Sequence, residues 1–242
     1  MRHRHVALVD VHHAIDPDEL RRVATALTTQ VNDHFAPVWD VTATVGIDAK
    51  PHQHPSTIEL RMDAKGAHPP GRHFKGPGGK SPSAVVYLSS LGKTWRDVWP
   101  FLASHELLEM LANPQGERTA SAPHPDDETV TVDYLVEVCD PCAVQWYPIH
   151  LPKGDKVRVS DFVVREYYEP KTLGSIAKYS YTGLIKEPLD VLPTKGVPGK
   201  QKEYSSFVSF RHPHGTKWFW KVRDEKGPAF VADVPEGLVV HS

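Results

Sequence analysis

The segment Ala103-Ser104-His105-Glu106-Leu107-Leu108-Glu109-Met110-Leu111-Ala112 constrains this chain more than any other feature. It reads as a helix that is apolar nearly all round, so no face of it suits water and the fold must enclose it. Its titratable groups are one histidine and two glutamates, with no lysine or arginine inside the segment to pair with them. A carboxylate left uncompensated in a dry interior costs several kcal/mol or takes up a proton. A divalent cation removes that cost. His105 and Glu109, at i and i+4, share one helix face and can bind a single ion. Glu106 is turned by roughly 100° from His105. It points beside such an ion, where a general base for an attacking water belongs. The competing reading has the glutamates reaching solvent at the helix end and His105 as a satisfied core histidine, but the apolar surroundings weigh against it.

The punctuation around this helix sets its limits at Trp95–Ala112. Thr94 and Asp97 form a T-x-x-D capping pattern. Pro100 implies a kink or a later start for the helix body. Asn113-Pro114 stops it, because a residue before proline avoids helical angles. Upstream, Val6–Val11 reads as a strand, and Asp16-Pro17 opens a helix with an acidic N-cap and proline at the first position. Leu20, Val23, Ala24, Leu27 and Val31 keep its amphipathic spacing. Val38–Ile47, Thr57–Met62 and Ala84–Ser89 read as further strands, with residues 64–83 a loop rich in Gly, Pro, Lys, Arg and His.

Downstream, residues 113–128 read as a polar loop. Thr129–Asp140 is ambiguous: Val130, Val132, Tyr134, Val136 and Val138 alternate like a strand, yet Asp133, Glu137 and Asp140 would share a helix face. Val157–Tyr167 is another extended run. Ser206–Arg211 and Thr216–Val222 form a hairpin turned by His212-Pro213-His214-Gly215. Glu187–Lys202 reads as a long surface loop.

No apolar run approaches the roughly 20 residues that span a bilayer, and the N-terminus lacks a secretory h-region. A cytoplasmic chain with no membrane attachment is expected. Cys139 and Cys142 are spaced C-x-x-C with no second pair, so two reduced, partly buried thiols are expected rather than a zinc ribbon or a redox motif. Residues 1–150 carry 13 Lys+Arg against 19 Asp+Glu, and residues 151–242 carry 15 against 11, so the charge is −6 in the first part and +4 in the second. That asymmetry suggests two regions, but it falls short of a dedicated nucleic-acid binder. Residues 195–223 interleave basic residues with Phe207, Phe210, Trp218, Phe219 and Trp220. Alternating aromatics in a hairpin are more often core than a stacking platform for nucleic acid. Gly78-Gly79-Lys80-Ser81 lacks the first glycine of a P-loop, and Pro82 spoils the helix that must follow. His3, His5, His12 and His13 are expected to be strand and terminus residues.

On these residues the chain resembles a family. His105-Glu106-Leu107-Leu108-Glu109, on a helix after an edge-like strand, is similar to the active helix of zincin metallopeptidases, whose signature is H-E-x-x-H. It is closer to a zincin-like group, including Exordium-type proteins, with H-E-L-x-E, a D/N-P pair and E-x-x-D-x-C. Here those pieces are residues 105–109, Asn113-Pro114 and Glu137-Val138-Cys139-Asp140-Pro141-Cys142, so the resemblance covers roughly residues 84–142. It implies Glu137 as third metal ligand on a second helix, with Asp133 a rival, and Asp140 holding the His105 ring from behind. Glu109 in place of the second histidine leaves a site that suits Zn²⁺ but also admits harder divalent ions.

The expectation is therefore an α+β protein: a zincin-like mixed sheet with an active-site helix in residues 1–150, and a smaller β-rich region in 151–242. His105, Glu109 and Glu137 would hold Zn²⁺ or another divalent ion, and Glu106 would be the general base of a hydrolase acting on peptide or protein. Tyr147, His150, His124 and Tyr167 are candidates for a second oxyanion donor, with Tyr147 carried forward as the catalytic one. The competing classes are a non-catalytic protein stapled by a structural metal and, less favoured, a nucleic-acid binder using the C-terminal hairpin.

Overall fold

The computed structural model describes residues 2–48, 56–63, 70–75, 81–124, 127–142, 145–169, 178–190, 207–211, 219–222 and 230–233. The architecture is α+β. The chain forms two compact units, one built on Met1–Gly116 and Trp146–Ser160, the other on Glu117–Gln145 and Asp161–Val239.

The first unit begins with strand β1, Arg2–Asp10. Val6 to Val9 are all buried, the pattern of a parallel strand covered on both faces. Asp10 ends the strand, its carboxylate accepting the Ile15 amide at 2.7 Å and the His12 amide at 3.3 Å. Helix α1, Pro17–Thr29, starts as its sequence demands, with Asp16 accepting the amides of Asp18 and Glu19 at 2.9 and 3.1 Å. It runs on through a π-helical stretch, Gln30–Phe35, into the short α2, Ala36–Trp39, whose Pro37 has no N–H to offer the preceding turn. Strand β2 is Val41–Asp48, β3 is Thr57–Arg61, β4 is Gly71–Lys75 and β5 is Pro82–Tyr87. They form one sheet in the order β2-β1-β3-β5-β4. The pairs β1·β2, β1·β3 and β3·β5 are parallel, and β4 lies antiparallel on the edge against β5.

Strand β4 corrects the reading of residues 64–83 as loop. Its composition, Gly-Arg-His-Phe-Lys, hides a strand because only one face is covered: Gly71 and His73 are buried while Arg72 is exposed. The P-loop-like residues 78–80 lie outside the described residues.

After β5 the chain turns through Leu88–Thr94, where Gly92 takes a φ of 66°, and enters helix α3, Trp95–Ala112. The helix continues through Pro100 as one element. The expected Thr94 cap is not made; the Thr94 hydroxyl instead donates back to the Leu91 carbonyl at 3.3 Å. Trp99 is fully buried and donates to Glu19 of α1 at 2.9 Å. Strands β6, Thr119–His124, and β7, Asp127–Leu135, then belong to the second unit. The antiparallel hairpin of β8, Trp146–His150, and β9, Lys156–Ser160, belongs to the first. A division at residue 150 would part β8 from β9, which are paired through His150 and Lys156. The hairpin stays with the first unit because β9 packs on α3 and α1, burying Val157 and Val159.

In the second unit, β6 and β7 join β10 (Phe207–Arg211), β11 (Phe219–Val222) and β12 (Phe230–Asp233) in an antiparallel sheet of order β12-β11-β10-β7-β6. Two readings are corrected here. Residues 113–128 contain strand β6, and the ambiguous run from 129 is a strand that ends at Leu135, not a helix. The C-terminal hairpin is present as β10 and β11, with its turn at 212–215 outside the described residues, as are 191–202 of the expected surface loop. Cys139 and Cys142 are buried and are not joined in a disulfide. Asp161 is fully buried, its carboxylate accepting the amides of Phe162 and Thr182 and the Thr182 hydroxyl. No helix among the described residues is long and apolar enough to cross a membrane.

Candidate metal site

From Leu102 to Ala112, helix α3 is buried at every position except His105, which is half-buried. Its carboxylates are buried with it: Glu106 is 3% and Glu109 4% exposed. Glu109 is the hub. One of its oxygens, Oε1, lies 3.2 Å from His105 Nε2, as the i, i+4 spacing requires. The other, Oε2, lies 3.6 Å from Nδ1 of His73 on β4, a histidine only 1% exposed. Ligand atoms of His73, Glu106 and Glu109 all lie within 4.8 Å of one another.

Glu106 reaches this cluster because β4 gives way. A Cβ added at Gly71 would collide with Glu106 Oε1 and stand 3.0 Å from Cδ. Gly71 and His73 are two apart on one strand, so they face the same side, and that side is the one α3 covers. The strand thus supplies a gap and an imidazole to the same helix. Burial pushes the Glu109 carboxyl up, but the imidazoles of His105 and then His73 outweigh it and hold the group well below the ordinary carboxylate range.

A buried polar network fixes the other side of α3. The Ser104 hydroxyl donates to Gln30 Oε1 at 2.7 Å and accepts the Ser160 amide at 2.9 Å. The Gln30 amide nitrogen donates to the Ser160 carbonyl at 2.9 Å and to the Tyr147 hydroxyl at 3.2 Å. His34 Nδ1 stands 3.1 Å from the same hydroxyl. Burial lowers the pKa of His34, with Asp33 partly opposing it. Gln30, Ser104 and Ser160 are all fully buried. Such a network sets the rotation of α3 about its axis, and with it the direction of residues 105, 106 and 109.

Of the residues singled out in the sequence, His105, Glu106 and Glu109 are brought together in the first unit. Tyr147 also lies there, with hydrogen bonds that run to Gln30 and His34. Glu137 and Asp140 belong to the second unit. Glu137 is buried just beyond β7, its carbonyl accepting the Tyr168 hydroxyl at 3.1 Å, and Asp140 opens a one-turn 3₁₀ helix, Asp140–Cys142. The second helix that the resemblance implies for this segment is not formed. Asp133 lies on β7 and meets Ser121 and Arg211. Tyr167 is buried, its hydroxyl donating to the Asp190 carbonyl at 2.8 Å.

His73 and Gly71 were not found from the sequence. Their signal was the Gly-x-His alternation, hidden inside a basic, glycine-rich run. Comparison with protein-family models, with curated proteins and with solved structures gives no match.

Proposed function

We propose that the first unit is a metal-dependent hydrolase, and that its substrates are peptides or proteins. What carries this reading is the packing of Glu106 and the imidazoles of His73 and His105 around the buried carboxylate of Glu109. Two carboxylates this close do not both stay ionised in a dry site unless positive charge, imidazolium or metal, sits beside them, and the mixed nitrogen and oxygen donors suit Zn²⁺ or a harder divalent ion. The peptide as substrate class rests on the resemblance of residues 105–109 to the zincin active helix.

His105 and Glu109 would hold the ion. Bound there, it would polarise a carbonyl and make water acidic enough to react near neutral pH. Glu106 then takes a proton from the attacking water through its carboxylate, which the gap at Gly71 admits to the cluster. The Ser104–Gln30 network holds the helix while this happens.

Purified protein is expected to hold about one divalent ion per chain by elemental analysis, and His105→Ala to lose it. Zinc-loaded protein should cleave a mixed fluorogenic peptide library. Glu106→Gln should keep the ion and the melting temperature yet cleave at least ~100-fold more slowly. Full activity in Glu106→Gln rules out Glu106 as the base. A chain that binds zinc but cleaves none of the library would instead leave the ion a structural staple.

A further inference from the structure

Helix α3 offers two ligands to the ion, whereas open catalytic zinc centres carry three from the protein. We propose that His73, on edge strand β4, is the third, an inference that rests on reading this cluster as a metal centre. The geometry follows from ordinary coordination chemistry. Ligand bonds of about 2.0–2.2 Å in a tetrahedron place neighbouring ligand atoms roughly 3.3–3.6 Å apart. His73 Nδ1 stands 3.6 Å from Glu109 Oε2, and His105 Nε2 stands 3.2 Å from Glu109 Oε1. Each imidazole is therefore set from its own oxygen of the shared carboxylate at close to a tetrahedral edge length, so an ion held by Glu109 has a ring beside either oxygen.

The setting of His73 fits a ligand better than a filler of the core. Edge strands favour exposed, charged residues, and Arg72 next to it is exposed. Yet His73 is almost wholly buried on the face turned to Glu106 and Glu109. Its position is fixed by the backbone: His73 pairs with Ala84 of β5 and Gly71 with Val86. A ligand there ties the sheet edge to the helix, so the ion would join two elements that chain connectivity separates by residues 76–94. With His73 as the third ligand, Glu106, whose ligand atom lies within 4.8 Å of those of His73 and Glu109, would be left free to act on a water at the ion. That is the role of a base for the attacking water.

The alternative is that His73 only donates a hydrogen bond to Glu109 and never touches the ion. Zinc X-ray absorption separates the two by counting imidazoles on the metal, and competition with a chromophoric chelator gives the affinity. The full chain and its His73→Gln and His105→Gln variants are loaded with zinc alone. The expected result is two imidazoles per zinc in the parent chain and one in each variant. Affinity in His73→Gln should fall by at least ~100-fold, beyond the roughly 10–100-fold that loss of an outer partner brings. An unchanged imidazole count in His73→Gln overturns the assignment, whatever the affinity, while leaving the metal centre itself intact. A parent chain that takes up no zinc overturns both. If His73→Gln does not fold by circular dichroism, the parent count decides: two imidazoles support the assignment and a single one overturns it.

Discussion

Helices α1 and α3 belong to the same unit, and they meet water in opposite ways. On α1, Leu20, Val23, Ala24 and Leu27 are buried, and Arg21, Arg22 and Thr25 on the far side are exposed. On α3 the last ten residues have no exposed position at all. A one-sided helix has charged residues because water selects them. In an enclosed helix water selects nothing, so each polar residue kept there needs another cause. Ser104 has one in its bonds to Gln30 and Ser160. Glu106 and Glu109 have theirs in the cluster with the imidazoles.

The comparison breaks first at packing, where the largest effects lie. Leu27 of α1 and Leu107 of α3 are both fully buried. Truncation to alanine should cost about 2–5 kcal/mol at either site, because each leaves a cavity its neighbours cannot fill. Urea unfolding of the two variants measures this. A cost at Leu107 well below 1 kcal/mol would mean that α3 is not enclosed, and the electrostatic case for a cation would fall with it.

A middle-sized effect sharpens the contrast at the site. Gly71→Ala puts a methyl group where Glu106 Oε1 now sits, so the carboxylate must swing aside. The side chain's end can move, and the cost in stability should stay near 1 kcal/mol or less. Misplacing the base by about an ångström should lower peptide cleavage roughly 10–100-fold, which is about 1.4–2.7 kcal/mol of barrier. Arg21→Ala on the exposed face of α1 touches no reacting group and should leave cleavage unaltered. Equal cleavage by Gly71→Ala and the parent chain would show that the gap at β4 has no part in placing Glu106.

What the sequence made legible followed these same differences. The Asp16-Pro17 start of α1 and the Trp95–Ala112 span of α3 were readable because capping and hydrophobic periodicity act locally. So was the pairing of His105 with Glu109, which needs only helix geometry. Strand β4 was not, since an edge strand covered on one face carries too few apolar residues to stand out from a basic loop. His73 was lost with it. The polar network was hidden for another reason. Gln30, Ser104, Tyr147 and Ser160 are far apart in the chain and ordinary in type, and only the fold assembles them. The make-up of the two compact units was not legible either, because the first takes back β8 and β9 after an excursion, and no composition shift marks that return.

The smallest expected effect concerns the helix starts, where the sequence offered two similar caps and the structure makes one. Asp16 accepts two amides at the head of α1, at 2.9 and 3.1 Å. Thr94 accepts none at the head of α3, its hydroxyl bonding back to Leu91. The reason lies in the preceding chain. Asp16 has the extended backbone of an N-cap, with φ −58° and ψ 132°. Thr94, at φ −92° and ψ 8°, still belongs to the turn that leads in, so its hydroxyl cannot face the first amides of the helix. Asp16→Ala should therefore cost about 1 kcal/mol, while Thr94→Ala should stay within about 0.5 kcal/mol, the range of an exposed substitution that removes no cap. Urea titration of both variants resolves a difference of that size. A loss at Thr94 equal to that at Asp16 would show that α3 is capped in solution after all, as its T-x-x-D sequence suggests.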